Sequence, residues 1–340
     1  KVFFILQVSK GTQGGKGMSV WELLLQVALL VVGFVMLIKG ADWFVDGAAA
    51  LAGKFGIPQL VIGLTIVAMG TSAPEAAVSI SAALQDNAGI TIGNVVGSNI
   101  LNVLIILGLA SVIIPIKVQK STKKYEIPFT ILVTVVLAVL GLVDNRISRI
   151  EGGIFWILFI VYLVYLFFMA KKGDASVEEA ENKIDKVWKM ILFILIGGAL
   201  IIFGSDVTVD AATEIAGYFG MSDRLIGLTI VALGTSLPEL ITSVTAAKKG
   251  NADIAIGNIV GSNIFNILFV VGTTALITPV VYASSFFVDS IVAVLAMVLL
   301  LVCVLNKDSK LKRWGGIILY SKYKRYYCKA SWLLGSLFSY

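Results

Sequence analysis

Long apolar stretches separated by short polar breaks run through most of the chain. They cover about 20–41 (with helical continuation to 52), 58–84, 89–115, 126–143 and 150–170. After a polar stretch, KKGDASVEEAENKIDK (171–186), they resume at 187–216, 222–247, 253–279 and 284–305, and a truncated one starts at 314. A helix needs ~20 apolar residues to cross the hydrocarbon core, and none of these runs sustains the alternation of a barrel strand. The pattern predicts an all-α polytopic membrane protein with ten transmembrane helices, the tenth abnormal. Trp314-Gly315-Gly316-Ile317 echoes Glu151-Gly152-Gly153-Ile154 at the start of the fifth span, but beyond Leu319 the sequence becomes YSKYKRYYCK. Four basic residues in so short a stretch are costly at mid-bilayer. The expected divisions are an N-terminal extension (1–17, with Met18 as the natural start), a first five-helix repeat (18–170), a cytoplasmic linker (171–186), a second repeat (187–319) and an aberrant tail (320–340).

Composition agrees. Of 340 residues, 58% are hydrophobic and 14% charged, against about 25% charged in soluble domains. This excludes a disordered chain, a collagen-like fibre and a disulfide-stapled module. The chain has no histidine, which removes His-ligated zinc or haem, Ser-His-Asp catalysis and histidine proton relays. Cys303 and Cys328 form no CxxC, so redox chemistry has no support. The net charge of +6 is read as cytoplasmic-loop Lys and Arg rather than as a nucleic-acid surface.

The strongest feature is internal. GLTIVAMGTSAPE (63–75) returns as GLTIVALGTSLPE (227–239), and GNVVGSNILN (93–102) as GNIVGSNIFN (257–266), both at an offset of 164 residues. Between 40–102 and 204–266, 36 of 63 positions are identical without a gap. Five spans separate equivalent positions, so the two copies enter the membrane from opposite sides and form an inverted repeat, with substrate expected near the midplane between the halves. With the N-terminus outside, the inner loops carry 15 basic residues and the outer loops three, Arg146, Arg149 and Arg224. That asymmetry follows the positive-inside rule and predicts a multi-pass protein of the cell membrane.

Glu75 and its twin Glu239 lie deep in apolar spans, where a charge costs ~3 kcal/mol or more. Thr71 and Ser72 share a helical face with Glu75, as Thr235 and Ser236 do with Glu239. Pro74 and Pro238 lack an N–H and free the carbonyls of Gly70 and Gly234, which are expected to line the site. Ser98 with Asn102, and Ser262 with Asn266, add neutral oxygens, while Gly93, Gly97, Gly257 and Gly261 permit close helix approach. This all-oxygen set suits a hard cation. Ca²⁺ takes six to eight oxygens, and Na⁺ could share them. Zinc and copper lack their softer ligands. Asp42, Asp46, Asp206 and Asp210 read as interfacial residues.

The doubled GTS-x-PE and GN-x-x-GSN-x-x-N motifs resemble the alpha-repeats of the cation/calcium exchanger superfamily, in particular prokaryotic sodium/calcium exchangers, over residues 18–319. The resemblance implies two inverted halves of five helices and exchange of Na⁺ for Ca²⁺ by alternating access, with no cofactor and no enzymatic activity. Transferred to matching positions, it implies a calcium site of Glu75, Glu239 and the carbonyls of Thr71 and Thr235. The sodium sites would draw on Ala68, Thr71, Ser72, Glu75 and Ser98, and on Ala232, Thr235, Ser236, Glu239 and Ser262. Asn102 and Asn266 match a central polar pair where many relatives carry Asp, a departure that weighs against potassium dependence. The linker is too short for the regulatory calcium-binding domains of animal relatives. The expected partners are Ca²⁺, Na⁺ and membrane lipid, with no nucleic acid and a functional monomer. A H⁺/Ca²⁺ exchanger of the same fold, a channel and an intramembrane hydrolase are the competing readings.

Overall fold

The computed structural model describes residues 19–85, 88–172, 184, 186–221 and 232–323. The N-terminal extension, most of the linker, Arg224 with the first part of the expected seventh span, and the tail beyond 323 lie outside the described residues.

Helix α1, Val20–Phe55, opens on a capping box. Ser19 Oγ accepts from the Glu22 N–H, and the Glu22 carboxylate accepts from the Ser19 N–H. It closes at Gly56, whose φ of 64° is the left-handed cap that glycine adopts freely. α2 (Gln59–Thr71) and α3 (Ala73–Leu84) form a pair bent by 49°. α4 (Gly89–Ile113), α5 (Thr122–Asp144) and α6 (Arg149–Lys172) complete the first half. The second half contains α7 (Val187–Tyr218), a turn at Ala232–Gly234, α8 (Leu237–Lys248), α9 (Ala252–Ile277), α10 (Ser285–Val304) and α11 (313–323), which continues past Leu319. Among the described residues, seven helices are long and apolar enough to cross a membrane, or eight counting the bent pair. The chain is therefore a multi-pass helical membrane protein.

α1 and α7 have 36 and 32 residues, about 54 and 48 Å at 1.5 Å per residue. Both exceed the ~30 Å hydrocarbon core, long enough to cross it even when tilted. They pack against each other through glycines seven residues apart. A Cβ on Gly40 would lie 2.8 Å from the Gly197 carbonyl oxygen, and one on Gly204 would lie 3.0 Å from that of Gly33. Backbone thus meets backbone, and dispersion contacts between the helices replace a hydrophobic driving force that lipid cannot supply. The enclosed centre belongs to α9, where Ile254, Ile256, Ile259, Ile264, Ile267 and Leu268 are all fully buried.

Two short antiparallel pairs tie the halves together. β1 (Ile116–Lys117) pairs with β4 (Lys310–Leu311), and β2 (Arg146–Ile147) with β3 (Val280–Val281). The offset of 164 maps Ile116–Leu311 onto Val280–Ile147. It also maps Asn145 onto Ser309, and these are the two non-glycine residues with positive φ (53° and 50°) among those described. β1 precedes α5 and β2 follows it, so the two pairs sit at opposite ends of a helix about 34 Å long.

Candidate functional site

The conserved spacing of the two repeats becomes a pair of broken helices. The first breaks at Ser72 (φ −85°, ψ 7°) and the second at Ser236 (φ −92°, ψ 2°). Pro74 and Pro238 follow two residues later at the first turn of α3 and α8, where a missing N–H costs nothing. Each new helix carries its glutamate in the first turn, so Glu75 sits at the positive end of α3 and Glu239 at that of α8. Both glutamates are only 1% exposed.

The halves interlock here. Ser72 Oγ donates to Glu239 Oε1 at 2.8 Å, and Thr71 Oγ1 donates to Asn258 Oδ1 at 2.9 Å. Asn258 Nδ2 in turn donates to Ser243 Oγ (2.9 Å) and to the Glu239 carbonyl (3.4 Å). Its twin Asn94 donates to Ser79 Oγ (3.0 Å) and the Glu75 carbonyl (3.3 Å). Ser262 Oγ reaches the Ala68 carbonyl at 3.4 Å, and Ser98 is buried on α4. Thr235 sits at the second break, and Ala232 is the first described residue before it.

Asn102 and Asn266 do not pair with each other. Asn102 Nδ2 donates to Asn263 Oδ1 (3.0 Å), and Asn266 Nδ2 to Asn99 Oδ1 (3.2 Å). Asn99 and Asn263 exchange Nδ2-to-carbonyl bonds at 3.1 and 3.3 Å. Four asparagines therefore form one cluster, and a π-turn begins at each outer member, Asn102–Leu107 and Asn266–Val271. Such turns gather at functional sites.

One expectation needs correction. The carbonyl freed by Pro238, at Gly234, accepts from Ser205 Oγ at 2.8 Å instead of facing the site unpartnered. The equivalent of Ser205 in the first half is Ala41, which has no hydroxyl to offer Gly70. The close approach expected of the glycines holds for Gly257 and Gly261, where an added Cβ would lie 3.0 Å from the Leu60 carbonyl oxygen and 2.8 Å from that of Leu64. The counterparts of those neighbours around Gly93 and Gly97 fall in 224–228, outside the described residues.

The sequence reasoning missed Asn94, Asn258, Asn99, Asn263, Ser79 and Ser243 as positioning groups. The first four stand inside the repeated GN-x-x-GSN, so invariance between the copies was the available signal.

The unpartnered atoms define the chemistry. Both carboxylate oxygens of Glu75, Oε2 of Glu239, Oδ1 of Asn102 and of Asn266, and the Ser236 hydroxyl are buried without a well-formed hydrogen bond among the described residues. Five of these six atoms can only accept when the glutamates are ionised. No third acidic side chain, cysteine or histidine joins the group among the described residues. Buried charge left unpaired costs several kcal/mol, so a concentration of oxygen acceptors is a demand for cations, and hard ones.

A sequence profile described as "Sodium/calcium exchanger protein" matches residues 25–168 and 189–328. The putative antiporter CaxA of Alkalimonas amylolytica is 42% identical over 306 residues, covering 87% of this chain and 96% of that protein. The sodium/calcium exchanger MaX1 of Methanosarcina acetivorans is 34% identical over 335 residues, covering 86% and 94%. A solved structure of the sodium-calcium exchanger NCX_Mj, soaked with Na⁺ and Sr²⁺, superposes with a TM-score of 0.76 at 36% identity, covering 88% of this chain and 97% of that one.

Proposed function

The chain belongs to the sodium/calcium exchanger protein family, and we propose that it exchanges Na⁺ for Ca²⁺ by alternating access at the Glu75–Glu239 site. Cation/Ca²⁺ antiport is the activity of the family, and the transported ions are substrates rather than cofactors. One observation carries the assignment to these residues: two buried carboxylates, one from each repeat, three of whose four oxygens lack a well-formed hydrogen bond among the described residues. Two negative charges neutralise one Ca²⁺, and Na⁺ ions can occupy the same oxygens in its place. An empty, doubly charged site is expensive to carry through low dielectric while a filled one is not, and that difference couples the two fluxes. In this reading Glu75 and Glu239 bind both ions. Thr71, Thr235, Ala68 and Ala232 contribute backbone carbonyls. Ser72, Ser236, Ser98, Ser262, Asn102 and Asn266 contribute side-chain oxygens.

The architecture in this reading is ten spans as two inverted halves. It draws support from the strand pairs, which the 164-residue offset interchanges and which lie at opposite ends of α5. The proposed setting is the cell membrane, with the N-terminus outside and the protein working as a monomer. The excess of basic residues in the loops assigned to the inside supports that orientation.

Reconstituted liposomes loaded with Ca²⁺ test the coupling. An imposed Na⁺ gradient is expected to drive Ca²⁺ efflux and a pH gradient is not. Efflux that follows pH and ignores Na⁺ would replace sodium by protons, and uptake down the Ca²⁺ gradient with no counter-ion would make the protein a channel. Glu75→Gln and Glu239→Gln are each expected to abolish exchange in a protein that still purifies folded, and retained transport in either would remove the site.

A further inference from the structure

One buried acid has no place in the ion site. Glu126, in the first turns of α5, is 1% exposed. The chain there is a π-turn, Thr122–Glu126, just ahead of Pro128, which cannot donate to the Lys124 carbonyl. Glu126 Oε1 accepts from the Tyr165 hydroxyl of α6. Thr122, one turn earlier, approaches the carboxylate, but neither its Oγ1 nor Glu126 Oε2 has a well-formed hydrogen bond among the described residues. Among the described residues Glu126 forms no ion pair. Lys124, two residues away, places its Nζ 5.2 Å from the centroid of the Tyr125 ring instead.

Glu126 lines a cavity of about 280 Å³ between α5 and α6. The other walls are aromatic apart from Val161 and Lys124, whose ammonium is held over the Tyr125 ring. Phe129 and Tyr162 stack with centroids 5.7 Å apart, and Tyr125 and Tyr165 tilt against each other at 6.3 Å. Val161, at 56% exposure, and Tyr125, at 49%, form the cavity's open outer edge. The side-chain oxygens lining the cavity are the Glu126 carboxylate and the hydroxyls of Tyr125, Tyr162 and Tyr165, fewer than the six or more that Ca²⁺ takes. A carboxylate among aromatic faces, in a cavity just below the usual size of small-molecule sites, fits an organic cation with an apolar body. Its N–H groups satisfy Oε2, its charge is attracted by the tyrosine faces, and its chain displaces lipid from Phe129 and Val161.

We propose that this crevice between α5 and α6 binds a primary alkylammonium group, with its nitrogen on Glu126 Oε2 and its chain along Phe129 and Val161. The same chemistry can come from a free amphiphilic amine or from the headgroup of an ethanolamine phospholipid.

The test uses the full chain in nanodiscs of pure phosphatidylcholine, whose headgroup has no N–H. Dodecylamine, protonated at neutral pH, is titrated by calorimetry against empty-nanodisc blanks, with dodecanol as the uncharged control. Saturable dodecylamine binding is expected, with dodecanol at least tenfold weaker. Glu126→Gln is expected to weaken the amine at least tenfold, the worth of one charge-assisted hydrogen bond, and to leave dodecanol unchanged. Phe129→Trp, which fills the cavity, should weaken the amine even if the glutamine variant fails to fold. Nanodiscs containing phosphatidylethanolamine separate the sources. Competition with dodecylamine that is lost in Glu126→Gln identifies the lipid, and no competition identifies a free amine. Equal binding of amine and alcohol, wild-type amine affinity in Glu126→Gln, or full amine affinity in Phe129→Trp would overturn the proposal.

Discussion

Asn258 gives the sharpest energetic test of how the halves are joined. It is fully buried and joins three groups: Thr71 of the first repeat, Ser243 of its own, and the Glu239 backbone. Its twin Asn94 has the last two kinds of bond, to Ser79 and Glu75. Replacing Asn258 by Ala removes two bonds of 2.9 Å and one long one of 3.4 Å. Thr71 is not orphaned, because its hydroxyl also lies 3.1 Å from the Val67 carbonyl. At about 1 kcal/mol per well-formed bond, Asn258→Ala should cost about 2–3 kcal/mol and Asn94→Ala about 1 kcal/mol less. A double-mutant cycle between Asn258→Ala and Thr71→Val should return a coupling of roughly 0.6 to 1.7 kcal/mol, the range for hydrogen bonds between membrane helices. The measurement is equilibrium unfolding of the purified protein in mixed micelles. Since Asn258 also touches the Glu239 carbonyl, the Ca²⁺ KM of Asn258→Ala should rise more than that of Asn94→Ala. Equal stability losses in the two alanine variants, with zero coupling to Thr71, would show that the cross-repeat bond has no energetic weight and would refute the reasoning.

Gly40→Ala places a Cβ 2.8 Å from the Gly197 carbonyl oxygen and should destabilise the protein by about 1–3 kcal/mol. Gly153→Ala, on α6 with nothing within 4 Å, should be neutral or slightly stabilising in the same unfolding assay. Ser205→Ala leaves the Gly234 carbonyl without its side-chain donor and should cost about 1–2 kcal/mol, visible as a lower melting temperature; an unchanged one would mean that the carbonyl finds another partner. Lys249 bridges Asp42 (3.3 Å) and Asp46 (2.8 Å) with all three side chains at least a quarter exposed. Lys249→Met should therefore cost only about 0.2–1 kcal/mol, and the difference from wild type should shrink as salt is raised.

The offset of 164 residues explains both what the sequence reveals and what it conceals. It says which residues are equivalent, and so it exposes the glutamates, the prolines and the span order. It does not say which residues meet. The contacts follow a second rule: if residue i touches the twin of j, then j touches the twin of i. Gly33 meets Gly204 and Gly40 meets Gly197; Asn102 meets Asn263 and Asn99 meets Asn266; Ile116 meets Leu311 and Ile147 meets Val280. These pairings lie far apart along the chain and carry no local periodicity, so only the folded arrangement displays them. Glu126 was hidden for another reason. It stands at the polar edge of a span, where an acid looks solvated until α6 covers it.

The places where the symmetry between the repeats fails mark where the halves differ. Lys249 holds Asp42 and Asp46, but the residue that would hold Asp206 and Asp210 is Gln85, which has no charge to offer. Ser205 caps Gly234, and Ala41 cannot cap Gly70. These two differences are written in the sequence and persist whatever ion is bound. The third is not: Ser72 bonds the Glu239 carboxylate, while the mirror bond between the Ser236 hydroxyl and the Glu75 carboxylate, identical in chemistry, is not formed. Identical residues with unequal partners can trade arrangements at little cost, because what one half loses the other gains. In the proposed alternating-access reading, that property is what the ion site needs, and fixed differences such as Gln85 and Ala41 are tolerable where they bias the exchange without blocking it.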